Sequence, residues 1–571
     1  MRSAIKPSRL TTRTALPVVS REGFIAAHNG MKVRLARPLD FLVIADHAQN
    51  MGVMPAARTG DPLLLASDKG REFYTGLQAQ DDNDKKVISY VYDMENGPFT
   101  DRLTIRDPVF RQSVWQRVIN NAEENNMPGI FTAFIGFEWT PLELGKWPDN
   151  AYTLHHRVVI FKDGAERTEK ILPFTKFDSE DPEDLWAYLS NYEQETGGKV
   201  LAIPHNTNMS RGQAFAPNTV KGNPITKNYA EQRRQWEPLL EVTQIKGDSE
   251  THPLISPTDE FADYETWQYD LANGINEQQS RQYEYARSAL KLGLAHKNKL
   301  GINPFKFGMI GSSDAHTSLA AVAENNFWGK FSDKEPGAEG GIYSAPGIEG
   351  GYNAAGYAGV WATENTREAL FEAMKRKEVY ASTGPRITVR FFGGWDYVKD
   401  DAYKPDLARI GYTKGVPMGG DLTAAPKDKA PSFLIRAVKD PIGANLDRVQ
   451  VIKGWHDAKG ELHEKIYNVA LSDERKENWL GNIKPVGNTI DVADASYTNT
   501  IGDPELAVVW TDPDFDKDEL TFYYLRVLEI PTPRWPAYDA KFFNLKDLPE
   551  EIPMVTQERA YSSPIWYSPG R

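Results

Sequence analysis

The chain has 571 residues, a net charge of −13 and no cysteine. This length exceeds one ordinary hydrophobic core and predicts two domains. The acidic balance argues against non-specific nucleic-acid binding, because the phosphates would be repelled. The lack of cysteine excludes disulfides, thiolate ligands and cysteine nucleophiles, so any metal must be held by histidines and carboxylates.

Two further features concern the compartment. No apolar run is long enough to cross a bilayer, so we expect no membrane partner. The first twenty residues are basic but lack an apolar core, and they are not a secretory signal as they stand. The compartment therefore stays open: cytoplasmic, or exported to the periplasm if an N-terminal segment is missing. The sequence does not indicate the oligomeric state.

From about Phe41 to His316, short apolar runs alternate with helical patterns. Polar residues able to bind metals follow several of the runs. The run Phe41–Ala45 is followed by Asp46 and His47, and the run that ends at Trp139 carries Glu138 next to its end. This alternation predicts an α/β domain, parallel-stranded and barrel-like, with crossover helices and a site at the C-terminal face.

The candidate ligands at the strand ends are imidazoles and carboxylates, a set that suits Zn, Mn or Fe better than Mg or Ca. Adjacent histidines on a strand point to opposite faces, so at most one of His155 and His156 reaches the centre. Five or six such groups are enough for two divalent ions. The candidates are His47, Glu138, His155 or His156, His205, Asp314 and His316.

Four neighbours receive roles from their position alone. Asp46 would orient His47 or shuttle a proton, and Arg157, Asn206 or Lys246 would hold an anionic group of the substrate. The sequence contains no Gly-rich phosphate loop, nucleophile elbow or dinucleotide fingerprint. A metal-dependent reaction on a small anionic or ester substrate is the hypothesis that remains.

The pattern changes near residue 387. Short β-rich runs separated by Pro, Gly and Asp predict a sandwich-like domain over 387–530 after a barrel domain over 1–386. Residues 531–571 have little periodicity and are predicted to wrap over a domain surface as an extended tail. The Gly-rich stretch 333–358 is interpreted as a lid or rim near the site, or as a plain insertion.

Four motifs, DFLVIADH, FIGFEW, AIPHN and GSSDAH, occur here in the order in which similar motifs occur in the PHP superfamily of metal-dependent phosphoesterases. Together with ALFEAMKRKEVYASTGP and the β-rich end, the sequence more closely resembles a bacterial family of unknown function. That family is related to the PHP-type metallohydrolases that include carbaryl hydrolase. The resemblance extends over nearly the whole chain from about Val33.

This resemblance implies a distorted (β/α) barrel of seven strands and a site of two or three Mn, Fe or Zn ions. It also implies hydrolysis of phosphoester, sulfate ester or related ester or carbamate bonds, with metal-bound hydroxide as the attacking group. By motif match, the ligands would be His47, Glu138, His205, Asp314 and His316, with His156 as a sixth.

One motif of the superfamily, a first strand carrying His-x-His, has no counterpart here. His28 is isolated and follows no predicted strand. Either an upstream segment is absent or the site is degraded. The alternative hypothesis is therefore a catalytically degraded PHP-like binding protein that uses the β-sandwich as its recognition module.

Overall fold

The computed structural model describes residues 25–27, 29–79, 106–141, 153–267, 280–331, 334–338, 341–343, 351–479 and 482–570. His28 and part of the Gly-rich stretch 333–358 lie outside these residues. The described part is mixed α/β, with its strands in six sheets. None of its helices has both the length and the apolar character that a membrane crossing requires.

The helices of the described residues are α1 (Val53–Thr59), α2 (Pro62–Leu65), α3 (Asp68–Gln78), α4 (Pro108–Asn125), α5 (Ala165–Thr168), α6 (Pro182–Thr196), α7 (Lys227–Trp236), α8 (Ala286–Leu300), α9 (Arg367–Lys375), α10 (Leu407–Lys414) and α11 (Trp535–Phe543). The first half of the chain contains the strands β1 (Ile25–Ala26), β2 (Lys32–Val33), β3 (Phe41–Val43), β4 (Thr132–Trp139), β5 (Arg157–Phe161), β6 (Val200–Pro204), β7 (Leu239–Gln244) and β8 (Gly247–Asp248).

The remaining strands are β9 (Gly308–Gly311), β10 (Tyr357–Val360), β11 (Val379–Ser382), β12 (Thr388–Gly394), β13 (Gly415–Pro417), β14 (Asp421–Thr423), β15 (Ser432–Val438), β16 (Leu446–His456), β17 (Leu462–Leu471), β18 (Glu505–Thr511), β19 (Leu520–Glu529), β20 (Thr532–Pro533), β21 (Val555–Thr556), β22 (Arg559–Ser562) and β23 (Ile565–Ser568).

The sheet that carries the first candidate residues has four strands in the order β3-β4-β5-β6. Only β3 and β4 are parallel; β5 is antiparallel to both β4 and β6. The prediction of a wholly parallel sheet with crossover connections is therefore wrong here. A helix between two strands can return the chain to either end of a sheet, and the alternation of apolar runs does not reveal which end.

A second sheet continues this layer in the order β8-β7-β9, with β7 and β9 parallel. Strand β7 lies beside β6, and β9 lies beside β11. The hydrogen-bonded pairings of the described residues do not close a barrel. Fully buried helix residues, among them Trp115 of α4 and Leu185 of α6, pack in one cluster with the strand residues Ile135 and Val200.

The β-rich second half contains two sheets packed face to face. The larger has eight strands, with the path β10-β11-β22-β19-β16-β17 and a branch through β23 and β14; the smaller has the order β13-β12-β15-β18. Alternate residues Phe433 and Ile435 of β15 share a buried cluster with Val449 of β16 and Leu525 of β19. This alternation is the pattern of a sandwich, whose core lies between two inner faces.

The last forty residues supply secondary structure to these sheets. Strand β22 pairs with both β11 and β19, and β23 pairs with β14 and β19. Strands β10 and β11, from before residue 387, thus belong to the same large sheet. The division into 1–386, 387–530 and 531–571 stays a prediction.

A buried network of charges joins α8 to the large sheet. Arg287 of α8 and Arg526 of β19 both bind Asp259, at 2.8 and 2.6 Å, and both also contact Glu250. Glu464 of β17 accepts a further bond from Arg287 at 3.2 Å. Both guanidinium groups are fully buried, so their charges depend on these carboxylates.

Asp248 of β8 gives this fold a pH dependence that can be measured. Burial raises the pKa of its carboxyl to about 7. One of its oxygens accepts a bond from the Glu250 amide at 2.8 Å, whereas Oδ2 is buried without a hydrogen-bond partner. The folded state thus binds this proton more tightly than the unfolded chain, and the contribution to stability is lost as pH rises from about 4 to about 7.

We therefore expect Asp248→Asn to flatten the pH dependence of unfolding across that window, relative to the unsubstituted protein. Urea midpoints measured between pH 4.5 and pH 8 test this. Parallel curves for the two proteins would show that Asp248 does not carry a proton in the folded state.

Candidate metal centre

After β3 ends, the chain continues alongside β4, and this brings His47 next to Glu138. The amide of Glu138 donates to the carbonyl of Asp46 at 2.9 Å, and the amide of Ala48 donates to the carbonyl of Glu138 at 2.8 Å. His47 and Glu138 thus form a parallel bridge beyond the end of β3. Their side chains lie on one side, with His47 Nε2 4.0 Å from Glu138 Oε2.

The antiparallel direction of β5 explains how His156 joins this edge. His156 comes directly before β5, whereas Glu138 is near the end of β4 and His205 directly follows β6. Since β5 runs against its two neighbours, its beginning lies where they end. The amide of His205 donates to the carbonyl of His156 at 3.3 Å, which holds the two histidines side by side.

Glu138, His156 and His205, here called the triad, are each no more than 5% exposed. Oε1 of Glu138 lies 2.9 Å from Nδ1 of His156 and 3.6 Å from Nε2 of His205. The hydroxyl of Thr140 donates to the same oxygen at 2.9 Å. One atom from each triad residue lies within 4.8 Å of the other two, which is close enough to share a metal ion.

The chemistry of the triad fits a transition-metal ion. Two imidazole nitrogens and one carboxylate oxygen are ligands that suit Zn, Mn or Fe. The second ring nitrogens, His156 Nε2 and His205 Nδ1, are buried and have no hydrogen-bond partner. Buried polar groups of this kind are costly unless the site has a further use for them.

Protonation in the triad follows from burial and from the shared carboxylate. Burial alone would raise the pKa of Glu138, but His47 and His205 attract its charge and His156 donates to it, so the pKa lies well below its usual range. Burial lowers the pKa of His156 to about 3. Burial opposes the charge of His205 as well, but the attraction of Glu138 outweighs it and raises the pKa of His205. A carboxylate beside a neutral imidazole is the state that metal binding requires.

A second group, here called the Asp314 group, adjoins the triad and consists of Asp314, His316, Lys246 and Lys330. Nζ of Lys330 lies 3.1 Å from Asp314 Oδ2, 2.9 Å from the Asp314 carbonyl and 3.0 Å from His316 Nδ1. Lys246 forms an ion pair with the same carboxylate oxygen. His316 Nε2 lies 3.3 Å from Nε2 of His47, which links this group to the triad.

The charges of the Asp314 group are mutually dependent. Burial would raise the pKa of Asp314, but Lys246 and Lys330 hold it well below its usual range. Burial lowers the pKa of Lys330 to about 7, against the attraction of Asp314. The site thus places two lysine side chains next to imidazoles, an arrangement suited to an anionic ligand.

The backbone conformation at three positions helps to direct side chains into the site. Asn206 and Asp314 lie shortly after β6 and β9, which end at Pro204 and Gly311, and have φ of 57° and 48°, in the left-handed region that Asn and Asp tolerate better than most residues. Gly247, after Lys246, has φ of 98°, and a Cβ there would lie 2.7 Å from the Trp267 ring. The tight turn between β7 and β8 therefore requires glycine, and it places Lys246 at the site.

The structure brings together most, but not all, of the residues that the sequence predicts. Asn206 Nδ2 lies 3.5 Å from Nδ1 of His156, and Asn206 Oδ1 accepts a bond from the side-chain amide of Gln244. The backbone of Asp46 pairs with β4 beside His47. Arg157 is not in the cluster: it lies in a buried ion pair with Glu237 at 3.0 Å. As the next residue along β5, it points away from the face that His156 occupies.

Three residues that the sequence reasoning missed belong to the site. Lys330 contacts both Asp314 and His316, and the amide of Gln49 donates to His47 Nδ1 at 3.1 Å. Glu241, inside β7, is buried near His205 and Asp314, and burial raises its pKa to about 7. Glu241 carried a signal, since it is an acidic residue within a predicted buried strand. Lys330 carried none, because it lies in an irregular segment without a motif.

A further cluster of ligand-type groups lies on the hairpin between β16 and β17 and consists of Asp457, Glu461 and His463. Glu461 is exposed and the other two residues are partly buried, and Asp457 caps the turn by accepting the amides of Lys459 and Glu461. These contacts account for the cluster as part of a hairpin turn.

The family model described as protein of unknown function (DUF3604) matches residues 8–569. The chain belongs to the DUF3604 family. A search of curated proteins finds no match to this DUF3604 protein. The family match thus covers almost the whole chain, but it does not assign an activity.

Proposed function

We propose that this DUF3604 protein is a metal-dependent hydrolase of phosphoester, sulfate ester or related ester or carbamate bonds. The observation that carries the proposal is the buried triad of Glu138, His156 and His205, with two lysines on the neighbouring Asp314. The likeness of its motifs to the PHP superfamily supports the proposal. From this likeness we also propose a distorted barrel and a site of two or three ions.

In this proposal the triad residues hold a divalent ion, of Mn, Fe or Zn. When bound, such an ion would activate water as a nucleophile and would polarise the ester. The ion would replace the contact between Glu138 and His156, whose ligand atoms are already 2.9 Å apart. His47, Asp314 and His316 adjoin this position and are the residues available for any further ion.

The protein's own groups supply binding and proton transfer. Lys246 and Lys330, with side chains 10% and 5% exposed, would exchange part of their contact with Asp314 for the anionic group of the substrate. Nδ1 of His47 lies 3.1 Å from the Gln49 amide nitrogen, and its Nε2 lies 3.3 Å from Nε2 of His316. His47 is 38% exposed in its side chain and would be the group that passes a proton to the leaving group.

Assays with four p-nitrophenyl esters test the proposal: phosphate, phosphodiester, sulfate and the uncharged acetate. We expect the Mn-, Fe- or Zn-loaded full chain to hydrolyse at least one anionic ester, and chelation to remove this activity. Lys330→Met should raise KM for the anionic ester by about tenfold, the loss of one charge-assisted hydrogen bond, with a smaller effect on the acetate.

Lys459→Met, at an exposed turn, is the matched control and should behave as the unsubstituted protein. The absence of turnover of every ester by metal-loaded protein would overturn the proposal. So would activity that survives complete chelation.

A further inference from the structure

A cavity of about 190 Å³ lies away from the metal centre, in a region where distant segments of the chain meet. Its wall is formed by residues 35–37, the segment 321–326, the stretch 384–386 before β12, the loop 440–444, and residues at the end of β19 and before β22. None of the triad or Asp314-group residues lines it. Its lining residues include Ile442, which is 65% exposed, and Arg37.

Four carboxyl groups line this cavity. Asp440 is paired with Arg37, and the other three belong to Glu324, Glu529 and Glu558. Glu529 and Glu558 are 1% and 3% exposed. Glu558 accepts bonds from the hydroxyls of Thr383 and of Tyr264, the latter at 3.2 Å, and Glu324 accepts the amide of Trp535. The Ala444 amide bonds to the carboxyl of Glu529, but its buried Oε1 has no hydrogen-bond partner among the residues that the structure describes.

The cations near these three carboxyls already have partners. Arg37 forms its ion pair with Asp440, Arg386 donates to the carbonyls of Arg37 and Pro38, and Lys439 donates to the carbonyl of Gly443. Arg534 binds both oxygens of Glu265, at 2.7 and 2.8 Å. Burial raises the pKa of Glu558 to about 8 and that of Glu529 well above its usual range. An unpaired buried carboxyl is costly, and a bound cation would compensate it.

The size and shape of the cavity favour an organic cation over a metal ion. Among the described residues, these three carboxyls do not form a group whose oxygens lie within 4.8 Å of one another. A cavity of this volume accommodates several non-hydrogen atoms, and apolar side chains, among them Leu35 and Val322, form part of its wall. The wall therefore offers carboxyl groups to the cationic group of a ligand and apolar side chains to its alkyl part.

We propose that this cavity binds a small organic cation of the alkylammonium class. Its ammonium group contacts Glu529 and Glu558, and its alkyl part lies against Leu35, Val322 and the ring of Tyr538. Glu529 supplies the oxygen that otherwise has no partner. This site stands independently of the proposed hydrolase activity, because its residues are separate from the metal centre.

Calorimetric titration of the full chain with n-butylammonium chloride tests the proposal, with n-butanol as the uncharged ligand of matched size. We expect saturable binding of butylammonium and no comparable binding of butanol. Glu529→Gln should weaken the binding by about tenfold or more, because one charge-assisted contact is removed. Glu550→Gln, at an exposed position, is the matched control and should bind as the unsubstituted protein.

Glu558→Gln provides a second variant in case Glu529→Gln fails to fold, and it should weaken binding in the same direction. Three results would overturn the proposal: no saturable binding of butylammonium, equal binding by the glutamine variants, or binding of butanol as tight as that of the cation. Thermal unfolding of each variant confirms that a folded protein was titrated.

Discussion

Glu138→Gln is expected to abolish metal binding and, with it, esterase activity. Glutamine preserves the shape of the side chain, but it removes the charge that both His156 and His205 face. Loss of an outer-shell partner alone typically costs about 10- to 100-fold in metal affinity, and loss of a direct ligand should exceed this. Plasma mass spectrometry of the purified variant, and its rate on the best ester, measure the two effects.

The matched control is Glu372→Gln, a half-exposed glutamate paired with Lys162 on the protein surface. It should retain the metal content and the rate of the unsubstituted protein. If Glu138→Gln bound metal with unchanged affinity while remaining folded, the triad would not be the metal site.

Arg526→Met is expected to destabilise the fold by about 3–5 kcal/mol, because it leaves Asp259 buried beside a single remaining arginine. The guanidinium of Arg526 is fully buried and forms a bond of 2.6 Å to Asp259. The attraction of Arg526 and Arg287 outweighs burial and holds the pKa of Asp259 well below its usual range, so the carboxylate stays charged in the folded state. Urea denaturation, read as the shift in midpoint, measures the loss.

Arg409→Met is the comparison, since Arg409 forms an exposed pair with Asp406. Surface pairs of this kind contribute little, so this variant should unfold almost as the unsubstituted protein. Equal midpoints for the two variants would contradict the assignment of the α8–β19 network as a major stabilising contact. Arg526→Met should keep its metal while folded, which separates its effect from that of Glu138→Gln.

The sequence predicts the location of several site residues because apolar runs and their polar ends are visible in it. Glu138 lies in β4, His205 directly follows β6, and Asp314 follows β9 in the same segment as the predicted run. Each position follows from an apolar run, which forms a buried strand, and from the polar residues near the end of that run. The strand bounds differ from the predicted ones by a few residues, as at β3, which ends at Val43 instead of Ala45.

Features that depend on strand direction or on distant contacts could not be predicted in this way. His156 reaches the triad because β5 is antiparallel, whereas the alternation of strands and helices had indicated a parallel sheet. Because side chains alternate along β5, Arg157 also points away from His156. It lies in a buried pair with Glu237, and this position does not support the anion-binding role predicted for it. The contact between Lys330 and Asp314 depends on the path of the chain between them, and no local sequence pattern predicts that path.

The central claim is that Glu138, His156 and His205 hold a divalent metal ion. Its most direct test is the metal content of the full chain, purified without a His tag or chelator and measured by plasma mass spectrometry. We predict at least one equivalent of Mn, Fe or Zn per chain, absent from Glu138→Gln. Near-zero metal that persists after reconstitution with each of the three ions would contradict the claim.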